Sequence, residues 1–389
     1  MEFSEPYQIT PSDPHHFFGY YETSPWSPNL RFFVCLETDF HDHMPKIGEK
    51  ARILLLDLRE ETHRILTDTQ AWNFQQGCLL HWMPSTPNDE IIFNDCDSTG
   101  IFSRVLNVHS GEEYKLPRAI NAIAHTKDLA LCVNFARLRK NRPVISYPCE
   151  YNYSSGDSHP SEDGVFLMDL KTGETELIVA LDDIWNRNEI TREGKGISAK
   201  TKFNGTDLWF DHMGFSPDDS RFFFFARFTN WVNMLETSMW TINLNGSDPY
   251  LVVDFNKQLS HFGWYDNSTL IVTMKYLRES NYSHVLIKDK NGEARVIAPH
   301  TLVWDGHPVF SPDKHYMATD TYIVKNKRYI YIMNMKTEEL HRIAEFENPK
   351  QFDKEIRCDP HPRWSPNGTQ LCYDGLRENG RQVYGMNIK

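Results

Sequence analysis

Basic charge is in short supply in this chain. Against 53 Asp and Glu residues it has 41 Lys and Arg, a formal net charge of −12, and no basic run is longer than the short stretch from Arg137 to Arg142. Duplex nucleic acid, whose phosphates require a basic face, is therefore not an expected partner. Long apolar runs are missing too: none approaches the roughly 18 residues of a spanning helix. The start, Met1-Glu-Phe-Ser-Glu-Pro, has neither a basic n-region nor an apolar h-region. No membrane association is expected, and the location is read as cytoplasmic. The cysteines lack the even framework of a stapled secreted domain; the seven are scattered, and most are expected to be reduced core thiols. Also absent are a G-x-S-x-G elbow, a glycine-rich phosphate loop, an H-E-x-x-H pair and repeated Trp-Asp endings. No organic cofactor is expected.

What is present is a repeat. An aromatic followed by a Ser-Pro-Asp or Ser-Pro-Asn turn occurs at Trp26, Phe215, Phe310 and Trp364, with weaker copies at Trp82, Ala124 and Trp264. Most successive anchors lie roughly 40–55 residues apart, the size of a propeller blade, with one longer excursion before Phe215. After each turn come strand-like runs, such as 222–226, 316–320, 53–58, 165–170 and 329–335. The expected fold is all-β: one domain over 1–389, a seven-bladed β-propeller of four-stranded antiparallel blades, with long loops at 137–163 and 181–211. The last unit has only three strands, so a segment near Tyr7 to Thr10 is expected to complete it and close the ring. The turns themselves read as structural punctuation.

Four anchors have a histidine three residues earlier: His212, His261, His307 and His361. If that strand is the innermost of each blade, four imidazoles converge on the channel, where they suit a transition metal or an acid and base with tuned pKa values. The bland reading is that they only hydrogen-bond neighbouring strands. Cys358 and Asp359 stand beside His361, and the expected metal ligands are His307, Cys358 and His361. Loops at 39–50, 67–77, 137–163, 181–211 and 229–238 elaborate one face. Trp72, Gln76, Tyr147, Tyr151 and Tyr153 are candidates to stack on or bond a sugar, and Arg137, with Arg139 and Arg142 nearby, to grip a carboxylate. Packing beneath the loops is the competing reading for the tyrosines. Tyr21 could protonate a leaving oxygen at the channel mouth, or plug the first blade.

Taken with the repeat, His15-His-Phe-Phe-Gly-Tyr-Tyr21, Trp72-Asn-Phe-Gln-Gln-Gly77, Asp305-Gly-His307 and Arg357-Cys-Asp-Pro-His-Pro-Arg-Trp364 make the chain resemble TolB-like propellers. Within them it is similar to the propeller-fold polysaccharide lyases: oligogalacturonate lyase, ulvan lyases and rhamnose-glucuronate lyases. The resemblance implies β-elimination at a uronic acid of an acidic oligosaccharide, with His261 as base, His212 nearby, and His307 and His361 holding a divalent metal (Mn, Zn or Ca). That family uses further histidine and glutamine ligands where this chain offers Cys358 and Asp359. The alternative is a non-catalytic propeller that binds a glycan or protein partner. The sequence leaves glycan, linkage and oligomeric state open.

Overall fold

A computed structural model describes residues 2–150, 156–187, 207–230, 232–278, 281–377 and 380–388. They form seven four-stranded antiparallel sheets arranged as propeller blades. Trp82, Phe215, Phe310 and Trp364 each end an innermost strand, as in Trp209–Phe215 and Arg363–Trp364, and Trp264 lies within His261–Asp266. The expected runs at 222–226 and 53–58 fall within or across Arg221–Thr229 and Ala51–Asp57. Tyr7–Gln8 pairs antiparallel with Gly380–Asn387, so the closing strand lies where the repeat count placed it.

The apolar run Phe222-Phe-Phe-Phe225 shows why second strands read as continuous hydrophobic stretches. Successive side chains point to opposite faces, and in a propeller each face meets another blade. Phe223 and Phe225 meet Phe262 of the next blade at 4.9 and 4.6 Å, while all four rings are fully buried. The outermost strands, such as Thr62–Thr69 and Glu113–Leu116, are polar and largely exposed, which suits an edge that must not recruit partners.

The turns carry architecture through one repeated device. The Ser216 hydroxyl bonds the Asp218 carboxylate at 2.7 Å and accepts the Arg221 N–H at 3.0 Å; Ser27, Ser311 and Ser365 repeat it with Asn29, Asp313 and Asn367. The residue that follows is left-handed in all four copies: Leu30, Asp219, Lys314 and Gly368.

Two further sets of bonds join blade to blade. Indole N–H groups of Trp82, Trp264 and Trp364 donate to Pro25, Gly214 and Val309 carbonyls of the preceding blade. From second strands, the Asn94, Asp320 and Asp374 side chains accept backbone N–H groups of Ile120, His361 and Phe18 in the following blade.

Two expectations about loops need correction. The long excursion contains helical turns, α1 (Phe135–Asn141), capped by the Asn134 side chain, and α2 (Leu181–Arg187), where only loop was expected. Thr229 and Leu235–Ser238 of the expected 229–238 loop belong to strands, because the hairpin pairs up to Thr229 and Leu235. Cys96 and Cys149 form a disulfide, a pairing the sequence did not single out: α1 and the turn after it bring the segment that follows back onto the second blade. Cys35, Cys78, Cys132, Cys358 and Cys372 are free and buried. No helix among the described residues is long and apolar enough to cross a membrane.

Candidate active site

The innermost strands deliver three of the four histidines to one place. The rings of His261 and His307 are 3.8 Å apart, centre to centre, and those of His307 and His361 4.2 Å. His361 and His212 adopt left-handed backbone, φ 47° and 48°, and at His212 the pairing with the second strand slips by a residue. Non-glycine residues held there cost on the order of 1–3 kcal/mol, and such strain collects at functional positions. Leu79, also three residues before its anchor, repeats the conformation without an imidazole.

Carboxylates orient the rings of His307, His261 and His212, and one of them also holds the His361 backbone. His307 Nδ1 lies 2.8 Å from Asp320, whose other oxygen accepts the His361 backbone N–H at 3.0 Å. This leaves His307 Nε2 facing His361 Nε2 at 3.1 Å. His261 Nδ1 lies 2.9 Å from Asp305, which also accepts from Ser260 at 2.7 Å; its Nε2 faces the Tyr322 hydroxyl at 3.5 Å. Burial, reinforced by His307, lowers the His261 pKa against the pull of Asp305, so a neutral ring with a free Nε2 lone pair is the form present at neutral pH. His212 is bound to Asp211 at 2.5 Å and meets Gln76 at 3.3 Å. Its ring packs edge-on against Phe262, and among the described residues it makes no ring contact with the other three. Burial holds it down to about 4.

The ligand group differs from the expected one. His307, Asp359 and His361 offer donor atoms within 4.8 Å of one another. Cys358 instead faces away, packed with Phe352 and Leu376, its thiol pushed by burial up to about 11; adjacent side chains on extended backbone diverge, so only one of Cys358 and Asp359 can face the channel. The Asp359 carboxylate is already shared between Arg328 and Arg357, each at 2.7 Å. Burial opposes its charge, yet the two guanidinium groups outweigh it and hold the carboxyl far below its usual range. Two opposed ring nitrogens and one carboxylate form a donor set compatible with a divalent transition metal.

The remaining predicted residues divide. Gln76 reaches the site through His212. Tyr21 forms its floor, with its ring 4.9 Å from His307, but its hydroxyl is spent on the Phe262 carbonyl at 3.1 Å, so it does not face a leaving group. Arg137 is buried, and its guanidinium holds the Leu208 and Ser158 carbonyls at 2.6 and 2.5 Å; it secures the excursion. Trp72 is fully buried among Phe17, Phe40 and Phe74, with its N–H on the Glu49 carbonyl. Tyr147 stacks on Phe135 in the core. Tyr151 and Tyr153 lie outside the described residues.

Other residues take these places. Arg142, at the end of α1, has its charge opposed first by burial and then by Arg227 and Arg357, and favoured by Asp211 and Tyr322; it is the cation of that stretch within electrostatic reach of the site. The Arg357 guanidinium lies over the Tyr322 ring, 5.5 Å from its centre. Nothing in the local sequence marks Tyr322. The Gly19 and Gly77 of the two aromatic signatures touch backbone to backbone: a Cβ on Gly19 would lie 2.5 Å from Gly77 N.

No family model matches the chain. A curated oligogalacturonide lyase of Pectobacterium atrosepticum is 23% identical over 227 residues, 53% of this chain; the match spans only 50% of that protein. An oligogalacturonate lyase from Vibrio parahaemolyticus superposes with a TM-score of 0.68 at 13% identity, covering 100% of this chain and 97% of the other. An oligogalacturonate lyase in complex with manganese gives 0.67 at 15% identity, covering 100% and 98%. In fold, then, the chain is a seven-bladed β-propeller resembling the oligogalacturonate lyases.

Proposed function

We propose that the chain is a lyase that cleaves an acidic, uronate-containing oligosaccharide by β-elimination. The observation that carries this reading is the Asp305–His261–Tyr322 line: a carboxylate fixes Nδ1–H, burial keeps the ring neutral, and Nε2 and a phenol face the same space. His261 Nε2 takes the proton from C5 of the uronate; the C–H electron pair becomes the C4=C5 bond; the C4–O4 bond breaks, and the departing oxygen takes a proton from Tyr322 or water. No electrons are gained or lost overall. Negative charge gathers on the substrate carboxylate during the step, and Arg142 and Arg357 supply fixed positive charge near it. A divalent metal held by His307, Asp359 and His361 would add Lewis-acid neutralisation of the same carboxylate. Asp320 and Tyr21 hold these rings in place.

The test follows ultraviolet absorbance of an unsaturated uronate while uronate-containing oligosaccharides are incubated with the protein, with and without chelator. Expected is a signal that disappears in His261→Ala. Silence across a broad panel of glycans would favour a binding propeller without turnover. Reducing ends without unsaturation would mean hydrolysis instead.

A further inference from the structure

Beneath the histidines the channel opens again. A cavity of about 810 Å³ lies at the turn-bearing end of the ring, lined by all seven blades, within the size range of small-molecule sites. Tyr21 is the partition: its ring touches three site histidines and also lines this second space.

The walls are the anchor aromatics, among them Trp26, Trp82, Trp264, Phe310 and Trp364. Three of those indoles already spend their N–H on the preceding blade, so what they offer a ligand is ring surface. Two acceptors interrupt it. Glu22 lines the cavity and forms no ion pair among the described residues, and burial raises its carboxyl well above the usual range. His81 lines it too, and its buried Nε2 has no hydrogen-bond partner among the described residues. The nearby guanidinium of Arg363 is committed to Asp374 and to the Tyr20 carbonyl, and Lys314 sits over the Phe310 ring.

Ring faces attract cations, and a carboxyl in an aromatic-walled cavity without a counter-charge is stabilised by one. An anion would oppose ionisation of Glu22, and a wholly apolar guest would leave both acceptors unpaired. We propose that this opposite mouth of the channel binds a small organic cation, an alkylammonium or alkylguanidinium, with Glu22 as counter-ion and the anchor aromatics as its walls. The site is separate from the histidines and stands whether or not the chain is a lyase.

Calorimetric titration with butylguanidinium and its uncharged isostere butylurea tests it. Expected is saturable binding of butylguanidinium, about tenfold or more weaker for butylurea and for butylguanidinium with Glu22→Gln, since a charged pairing is lost in each case. Unsaturated-uronate turnover of Glu22→Gln stays at the parent level. Equal binding of the two isosteres by the parent protein overturns the proposal without any variant, as does absence of saturation or an unchanged affinity in Glu22→Gln.

Discussion

His261 and Tyr322 face each other across 3.5 Å while Asp305 secures the far side of the imidazole. Asp305→Asn can present its amide N–H to Nδ1 and so favour the wrong tautomer; kcat is expected to fall by about 10²- to 10⁴-fold with KM nearly unchanged, measured as unsaturated-uronate turnover. Tyr322→Phe is expected to lower kcat by about tenfold or more and to leave substrate affinity in place. Tyr21→Phe behaves in the opposite way: it removes a bond to the Phe262 carbonyl, costs about 1 kcal/mol of stability in urea titration, and leaves turnover close to parental. At this scale the sequence was legible for His261, His307 and His361, because their offset from a recurring anchor put them on equivalent strands. It was not legible for Arg137, Cys358 or Trp72. Whether such a side chain faces channel or core depends on the alternation of one short segment and on what packs behind it.

Strands and turns followed their residues closely, since a Ser-Pro-Asp turn closes on its own hydroxyl within five residues and a second strand buried on both faces needs an unbroken apolar run. The excursion between the third and fourth anchors did not. Its helix α1 is short, and its fixing points are remote in sequence: Arg137 on the Leu208 carbonyl, and Cys149 bonded to Cys96 across 53 residues. Closing a loop of that length restricts the unfolded chain, so Cys149→Ser is expected to destabilise by about 2–4 kcal/mol in denaturant titration. It should also lower turnover, because Arg142 lies between Arg137 and Cys149 on the same tether.

The ring as a whole is joined by the amino end, where Tyr7–Gln8 completes the last blade and Thr10 and His16 both bond the Gln382 side chain, at 2.7 and 2.9 Å. Deleting residues 2–10 leaves an unpaired strand there, and a melting temperature lower by several degrees is expected, with greater aggregation. The molecule also carries buried neutral histidines: His212 and His284 are held by burial to about 4, and His81 to about 3. Unfolded, each takes a proton near pH 6.5, whereas folded it stays neutral until far lower. The unfolded state therefore binds more protons between about pH 6.5 and 4, so this part of the stability is complete above that window and is lost as pH falls through it. Urea midpoints are expected to drop from pH 7 to pH 5, and less steeply in His81→Gln.

By itself the sequence determined the blade count, the closing strand and which strand position carries imidazoles, because these follow from repeated local chemistry. Tertiary structure decided which imidazoles meet, that Asp359 rather than Cys358 joins them, that Tyr322 stands where Tyr21 was expected, and that Cys96 finds Cys149. Each of those depends on contacts between blades or across the long excursion, where residues far apart in the chain become neighbours through packing that no local pattern encodes.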